Sequence, residues 1–198
     1  MKTGWRFRGC LTMTIFAMAA FAICCCSLRA TTIEKMSLDR MTQMAPIIVH
    51  ARCVASSTAW DAGDIWTFTT FNVLETWKAA SGAPIPPRIT VRLLGGTVGL
   101  LTSHVSGVPR FRPGEEVVLF LQRTSRGDFS VVSWQQGTFR IRRNQLSESE
   151  TATVTQDSAA FATFDPKTRR FEATGIRNLS LTSFRQRIVT AIANGGGQ

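Results

Sequence analysis

The chain of 198 residues has no tyrosine, only two histidines, and few acidic residues, with 13 against 23 lysines and arginines. Four of its five cysteines, Cys10 and the three at 24–26, lie within the first 30 residues. Without that segment, Cys53 would have no partner for a disulfide within the chain. The rest of the fold must therefore be held by an apolar core, for which a hydrophobic content of 44% suffices.

The shortage of histidine limits the chemistry that the sequence can support. His50 and Cys53 are three residues apart on a predicted strand, so they point to opposite faces and cannot share a metal ion. His104 is isolated in a predicted loop. The sequence also lacks the nucleophile motif G-x-S-x-G, a phosphate-binding loop and a dinucleotide-binding glycine motif. We therefore expect no metal, no cofactor and no catalytic residues, and a protein that is not an enzyme.

Other reactive side chains have ordinary structural explanations. Cys53 lies in an apolar predicted strand, which favours a buried, inert thiol. The carboxylate pairs Glu115–Glu116 and Asp61/Asp64 fall on predicted turns, where solvated charge is expected. A calcium role for the aspartates has no supporting loop spacing.

The N-terminus has the pattern of a secretory signal peptide. A basic start precedes an uncharged apolar stretch, residues 11–23, and small residues follow as far as Ala30. We predict a signal peptide at 1–30 that is cleaved after Ala30 or Ser27, and hence a periplasmic, cell-envelope or extracellular protein. An uncleaved membrane anchor or a lipid-modified cysteine are the alternatives.

Positive charge remains after removal of the signal. The formal charge of +10 loses four basic residues and no acidic one, which leaves +6. For an exported protein this favours an anionic envelope polymer, lipid head groups or an acidic protein as partner over nucleic acid, although a solvated basic surface fits equally well. The basic clusters are Arg140, Arg142, Arg143 and Lys167, Arg169, Arg170.

Apolar periodicity predicts a mainly β fold with a short helix near each end. Ser37 caps a predicted helix at 38–44, which Pro46 ends. The run at 117–121 has no polar residue and follows a charged turn at 109–116, which indicates a strand buried on both faces. The predicted strands are residues 47–55, 65–77, 88–94, 117–122, 129–134 and 138–142. Turn signals at near-regular spacing between them favour a small closed barrel.

The C-terminal third is less regular. The Ser-, Thr- and Glu-rich residues 145–156 are interpreted as a loop. Residues 161–164 and 169–173 predict a late hairpin around the turn at 165–168. Asn178 or Ser180 then caps a helix with an apolar face made of Leu181, Phe184, Ile188, Val189 and Ile192.

Four segments together carry a resemblance: 45–54, 69–78, 89–92 and 109–121. They resemble a group of uncharacterised exported bacterial proteins, which in turn resemble the OB-fold barrels of the tissue-inhibitor-of-metalloproteinase and netrin-like type. The resemblance covers about residues 38–141 and implies an OB-like barrel. Inhibitors of that family chelate a protease zinc through an N-terminal cysteine, which the mature chain lacks, so that mechanism is not implied.

The expected organisation is a signal peptide at 1–30, an OB-like β-barrel at 31–144, and a loop, late hairpin and C-terminal helix at 145–198 that pack on the barrel. The expected function is a non-enzymatic binding module, with a protease inhibitor or protease-associated protein and a hydrolase with an unrecognised site as alternatives. Trp134, Arg140 and Arg142 are the candidate ligand-binding residues, unless the tryptophan is core and the arginines are solvated. We expect a monomer that contacts a membrane only through an uncleaved signal.

Overall fold

A computed structural model describes residues 34–79, 84–144, 151–173 and 175–195. The predicted signal peptide at 1–30 therefore lies outside the described residues, as do parts of the predicted loops at 78–87 and 145–156. The described fold is mainly β, with a helix near each end and a 3₁₀ turn at Asp157–Ala160. The helices are α1 (Leu38–Met44) and α2 (Leu181–Gly195). The strands are β1 (Ile47–Asp61), β2 (Asp64–Lys78), β3 (Arg88–Leu94), β4 (Gly96–Val98), β5 (Leu101–Ser103), β6 (Glu116–Arg123), β7 (Phe129–Val131), β8 (Thr138–Asn144), β9 (Thr151–Gln156), β10 (Thr163–Asp165), β11 (Arg170–Glu172) and β12 (Leu179–Ser180). Among these residues no helix is long and apolar enough to cross a membrane.

The predicted first hairpin is confirmed and is longer than expected. β1 and β2 pair in antiparallel fashion over 15 residues each and meet at a tight turn, where Ala62 and Gly63 have positive φ angles of 53° and 89°. β1 continues past the predicted end at residue 55, because its exposed half pairs with β2 as far as the turn; Ser56 and Thr58, for example, pair with Thr69 and Thr67. Such residues suit a strand with one face in solvent.

The apolar run at 117–121 is the strand β6, as predicted. It lies between β1 and β8, and all five of its apolar side chains are fully buried. Alternate side chains enter two separate apolar clusters. Val117, Leu119 and Leu121 belong to the first cluster, while Val118 and Phe120 belong to the second.

The main sheet has eight strands in the order β1-β2-β3-β7-β6-β8-β9-β12, with an additional pairing between β1 and β6. β3 and β7 are the parallel pair and join at Val91 and Phe129. β7 ends at Val131, three residues before the predicted end, because Ser133 and Trp134 adopt positive φ angles of 52° and 49° in a turn. A residue in that conformation cannot continue a strand.

The first cluster lies between the strands β1, β2, β3, β6 and β7, with Phe71 packed edge-on against Phe111 at a centroid distance of 5.0 Å. Cys53 belongs to this cluster and is buried, as predicted. The second cluster holds both helices against the sheet. Phe139 lies 4.6 Å from Phe184 of α2, centroid to centroid.

Both helices begin as predicted. The Ser37 hydroxyl accepts a hydrogen bond from the amide of Arg40, and the Ser180 hydroxyl accepts one from the amide of Ser183. On α2, Phe184 and Ile188 are fully buried, but Val189 is 47% exposed, so the predicted apolar face is too wide by that residue.

The late hairpin is confirmed as β10 and β11, but the interpretation of 145–156 as a loop is wrong over residues 151–156. These form β9, which pairs with β8. The segment TATVTQ alternates, with Val154 and Gln156 buried, and its threonines favour a strand despite its polar composition.

Candidate functional site

An open pocket of about 380 Å³ lies where β8, β9, the 3₁₀ turn and the segment before β12 meet. It is lined by three arginines, one carboxylate and uncharged side chains, so its walls carry a formal charge of +2. The lining residues are Arg140, Arg142, Thr155, Gln156, Asp157, Ala159, Ala160, Arg177 and Asn178.

Strand alternation aims two of the arginines into this pocket. In β8, Phe139 and Ile141 are buried in the second cluster, so Arg140 and Arg142 project from the opposite face. Arg140 pairs across the sheet with Thr155 of β9. The alternation predicted from the sequence is therefore confirmed in β8.

The Arg140 guanidinium is held firmly at one side of the pocket. Its Nε and Nη2 donate to the two carboxylate oxygens of Asp157 at 2.7 and 2.9 Å, Nη1 pairs with Glu115, and Nη2 also donates to the carbonyl oxygen of Arg110 at 2.8 Å. Two-point contact with a carboxylate fixes the plane of a guanidinium. Burial raises the pKa of Asp157 and opposes the lowering effect of Arg140. The Arg140 side chain is thus fixed in position, and most of its hydrogen-bond donors are already in use.

Arg142 has the opposite character. It is exposed, and the described part of the chain provides no hydrogen-bond or ion-pair partner for its guanidinium. Across the pocket, Arg177 donates to the carbonyl oxygen of Ala159. Asn178 has a positive φ of 49°, and its backbone N–H donates to the hydroxyl of Thr155 at 3.3 Å. Among the described residues, Arg142 is therefore the pocket arginine whose donors are all available.

Trp134, the third predicted binding residue, does not line this pocket. It is 40% exposed in the turn between β7 and β8, where its carbonyl oxygen accepts a hydrogen bond from Thr138. The structure therefore brings together Arg140 and Arg142 but not Trp134. Arg177 and Asn178 could not be predicted as pocket residues from the sequence, because contacts between distant segments carry them there. β12 pairs with β9, and residues 176–178 form hydrogen bonds to residues 155–159.

A second polar cluster surrounds Glu116, whose side chain is only 8% exposed. His50 Nε2 lies 2.6 Å from Oε1, Arg52 Nη2 lies 3.2 Å from Oε2, and Arg143 contacts both oxygens at 2.6 and 3.1 Å. The hydrogen bond from Arg143, helped by those from His50 and Arg52, lowers the pKa of Glu116 from 4.5 to about 2. The interpretation of Glu116 as solvated charge is wrong.

This cluster joins three neighbouring strands, because its members come from β1, β6 and β8. Within the described residues, His50 makes no hydrogen bond to a serine, threonine or cysteine. As predicted, His50 and Cys53 are on opposite faces of β1: His50 faces the carboxylate, and Cys53 lies in the first core cluster, where burial raises its thiol pKa. The described residues contain no cluster of three potential metal ligands.

Comparison with protein-family models, with curated proteins and with solved structures finds no match for this chain.

Proposed function

We propose that the chain is an exported, non-enzymatic binding module of the cell envelope or extracellular medium, built on a small closed OB-like barrel. The strand pairings support the barrel, since β1–β2, β2–β3, β3–β7, β7–β6 and β6–β1 lead back to the first strand. A path through five strands that returns to the first supports the five-stranded barrel of the OB type that we propose. This proposal agrees with the resemblance drawn from the sequence.

The ligand we propose is an anionic polymer that carries carboxylate or phosphate groups, bound at the arginine-lined pocket. The observation that carries the proposal is Arg142, an exposed guanidinium without a counter-ion among the described residues, at the edge of an open pocket. Guanidinium groups bind carboxylate and phosphate through two parallel hydrogen bonds. Arg140, on the same face of β8 as Arg142, is fixed beside it by Asp157 and Glu115, and the net charge of the protein attracts anions over a longer range.

The test is a titration of the full chain with a polyuronate and with polyphosphate, with uncharged dextran as the polymer control. We expect binding of the anionic polymers only, and Arg142→Gln should weaken it about fivefold, the value of an exposed ion pair near 1 kcal/mol. Binding should also weaken as salt is raised.

Arg187→Gln is the matched control, because Arg187 is an exposed arginine of α2 without a described partner. It removes the same charge at a residue that does not line the pocket. If Arg187→Gln weakens binding as much as Arg142→Gln, the pocket is not the site and the attraction is due to net charge alone.

A further inference from the structure

The β10–β11 hairpin carries exposed aromatic rings. Phe161 just before it is 53% exposed and Phe171 within it is 63% exposed. Phe171 pairs with Phe164 across the hairpin, and their ring centroids are 5.4 Å apart, so both rings lie on one face. Exposed phenylalanines grouped in this way are unusual for a surface that meets only water.

Three basic residues lie at and after the turn of the same hairpin. Lys167 and Arg169 occupy the connecting turn, and Arg170 begins β11; all three are exposed. No ion pair engages them within the described residues, while the nearby Asp165 is paired with Lys35 at 3.2 Å. Among the described residues, the hairpin thus offers three cations without an ion pair: two lie at its turn, and Arg170 lies on the face opposite to the Phe164 and Phe171 rings.

Glu34 and Lys35 lie against this hairpin. Glu34 bridges Phe164 in parallel, and the amide of Lys35 donates to the carbonyl oxygen of Phe164 at 2.9 Å. The buried Gln136 holds the same segment, because its amide contacts the backbone of Glu34 and Met36 at 2.8 Å each. In the sequence, ten residues separate the apolar stretch at 11–23 from Glu34. As long as the predicted signal peptide is not cleaved, a membrane that holds this stretch is therefore within reach of the hairpin.

We propose that the hairpin at 163–172 binds the surface of a bilayer that contains anionic phospholipid. Phenylalanine rings enter the interface between head groups and acyl chains, and lysine and arginine pair with the lipid phosphates. The residues of this surface are different from those that line the arginine-lined pocket. From the sequence, membrane contact is expected only through an uncleaved signal, and the hairpin would be a second site of contact.

The test is amide hydrogen exchange of the full chain with vesicles of phosphatidylcholine, with or without phosphatidylglycerol. The apolar N-terminal stretch is expected to bind both kinds of vesicle, so total binding does not test the hairpin. The informative quantity is the exchange rate of the amides at 163–172. We expect these amides to exchange more slowly only with the anionic vesicles. The charge variant Lys167→Gln/Arg169→Asn/Arg170→Gln should reduce the protection, and the affinity should fall roughly fivefold for each cation removed. Asparagine is used at 169 because the φ of 54° there suits it.

Two further variants make the result specific. Arg169→Lys/Arg170→Lys keeps the charge and should retain the protection. Leu100→Ser/Leu101→Ser removes exposed leucines from the β4–β5 hairpin and should leave it unchanged. The proposal is overturned if anionic vesicles do not slow exchange at 163–172, if vesicles of phosphatidylcholine alone slow it equally, or if the charge variant binds anionic vesicles as the unaltered chain does.

Discussion

At the scale of single residues, Glu116 shows that the environment of a side chain can differ from the one its sequence neighbours indicate. Its position directly after Pro113–Gly114 and Glu115 is typical of a solvated turn. Its environment is instead set by His50, Arg52 and Arg143, which lie 66, 64 and 27 residues away in the chain. Only strand pairing brings these groups together, and a single sequence contains no local signal for it. The outward direction of Arg140 and Arg142 was predictable, because period-2 alternation is local.

Glu116 should make stability depend on pH. Because its pKa is lower in the folded chain than in the unfolded one, it stabilises the fold above about pH 4.5, and this contribution is lost as pH falls towards 2. The loss should be about 3 kcal/mol, from 1.4 kcal/mol per pKa unit. In urea titrations, Glu116→Gln should therefore have a lower free energy of unfolding than the unaltered chain at pH 7. Its free energy of unfolding should also fall less steeply below pH 4.5. Asp64→Asn, at an exposed turn, should keep the full decline; equal slopes for Glu116→Gln and the unaltered chain would contradict the prediction.

Gly137 is a second residue whose replacement can be predicted, because the structure leaves no space for a side chain there. A Cβ there would lie 2.1 Å from the carbonyl oxygen of Val132, a backbone atom that cannot move aside alone. Gly137→Ala should therefore destabilise the fold by about 1–3 kcal/mol, as overpacking does. Gly127→Ala is a useful comparison, because its Cβ would meet nothing within 4 Å although its φ of 89° also disfavours alanine. Thermal unfolding should rank Gly137→Ala as the less stable of the two; the reverse order would refute the steric argument.

At the scale of elements, the sequence predicted those with strong apolar periodicity or clear turn residues, such as β1, β2, β3, β6 and α2. It failed at β9, where four of six residues are Thr or Gln and burial comes from pairing with β8. It also overextended β7 to Trp134, since no sequence pattern marks a positive φ at Ser133 and Trp134. Tertiary context decided both segments.

The attachment of α2 to the sheet can be tested at Phe184. This ring is fully buried between Phe139 and Trp77, with centroids at 4.6 and 6.1 Å. Phe184→Ala should cost about 3–5 kcal/mol of unfolding free energy, by lost burial and a cavity. Val189→Ala on the exposed side of the same helix should change it by less than about 0.5 kcal/mol. Urea titrations followed by circular dichroism would measure both, and a loss below that of Val189→Ala would show that α2 does not depend on this contact.

At the scale of the whole molecule, β6 belongs to both apolar clusters, so neither cluster can lose its packing without exposing a face of the same strand. We expect a single unfolding transition in urea for residues 34–195. When it is followed by NMR, the δ-methyl signals of Ile89 in the first cluster and of Ile188 in the second should have the same midpoint. Phe120→Ala removes a ring from the second cluster only and should cost about 3–5 kcal/mol. Both methyl probes should shift to lower urea together, because β6 transmits the loss. Two separate midpoints by NMR, or a shift confined to Ile188, would mean that the clusters unfold independently.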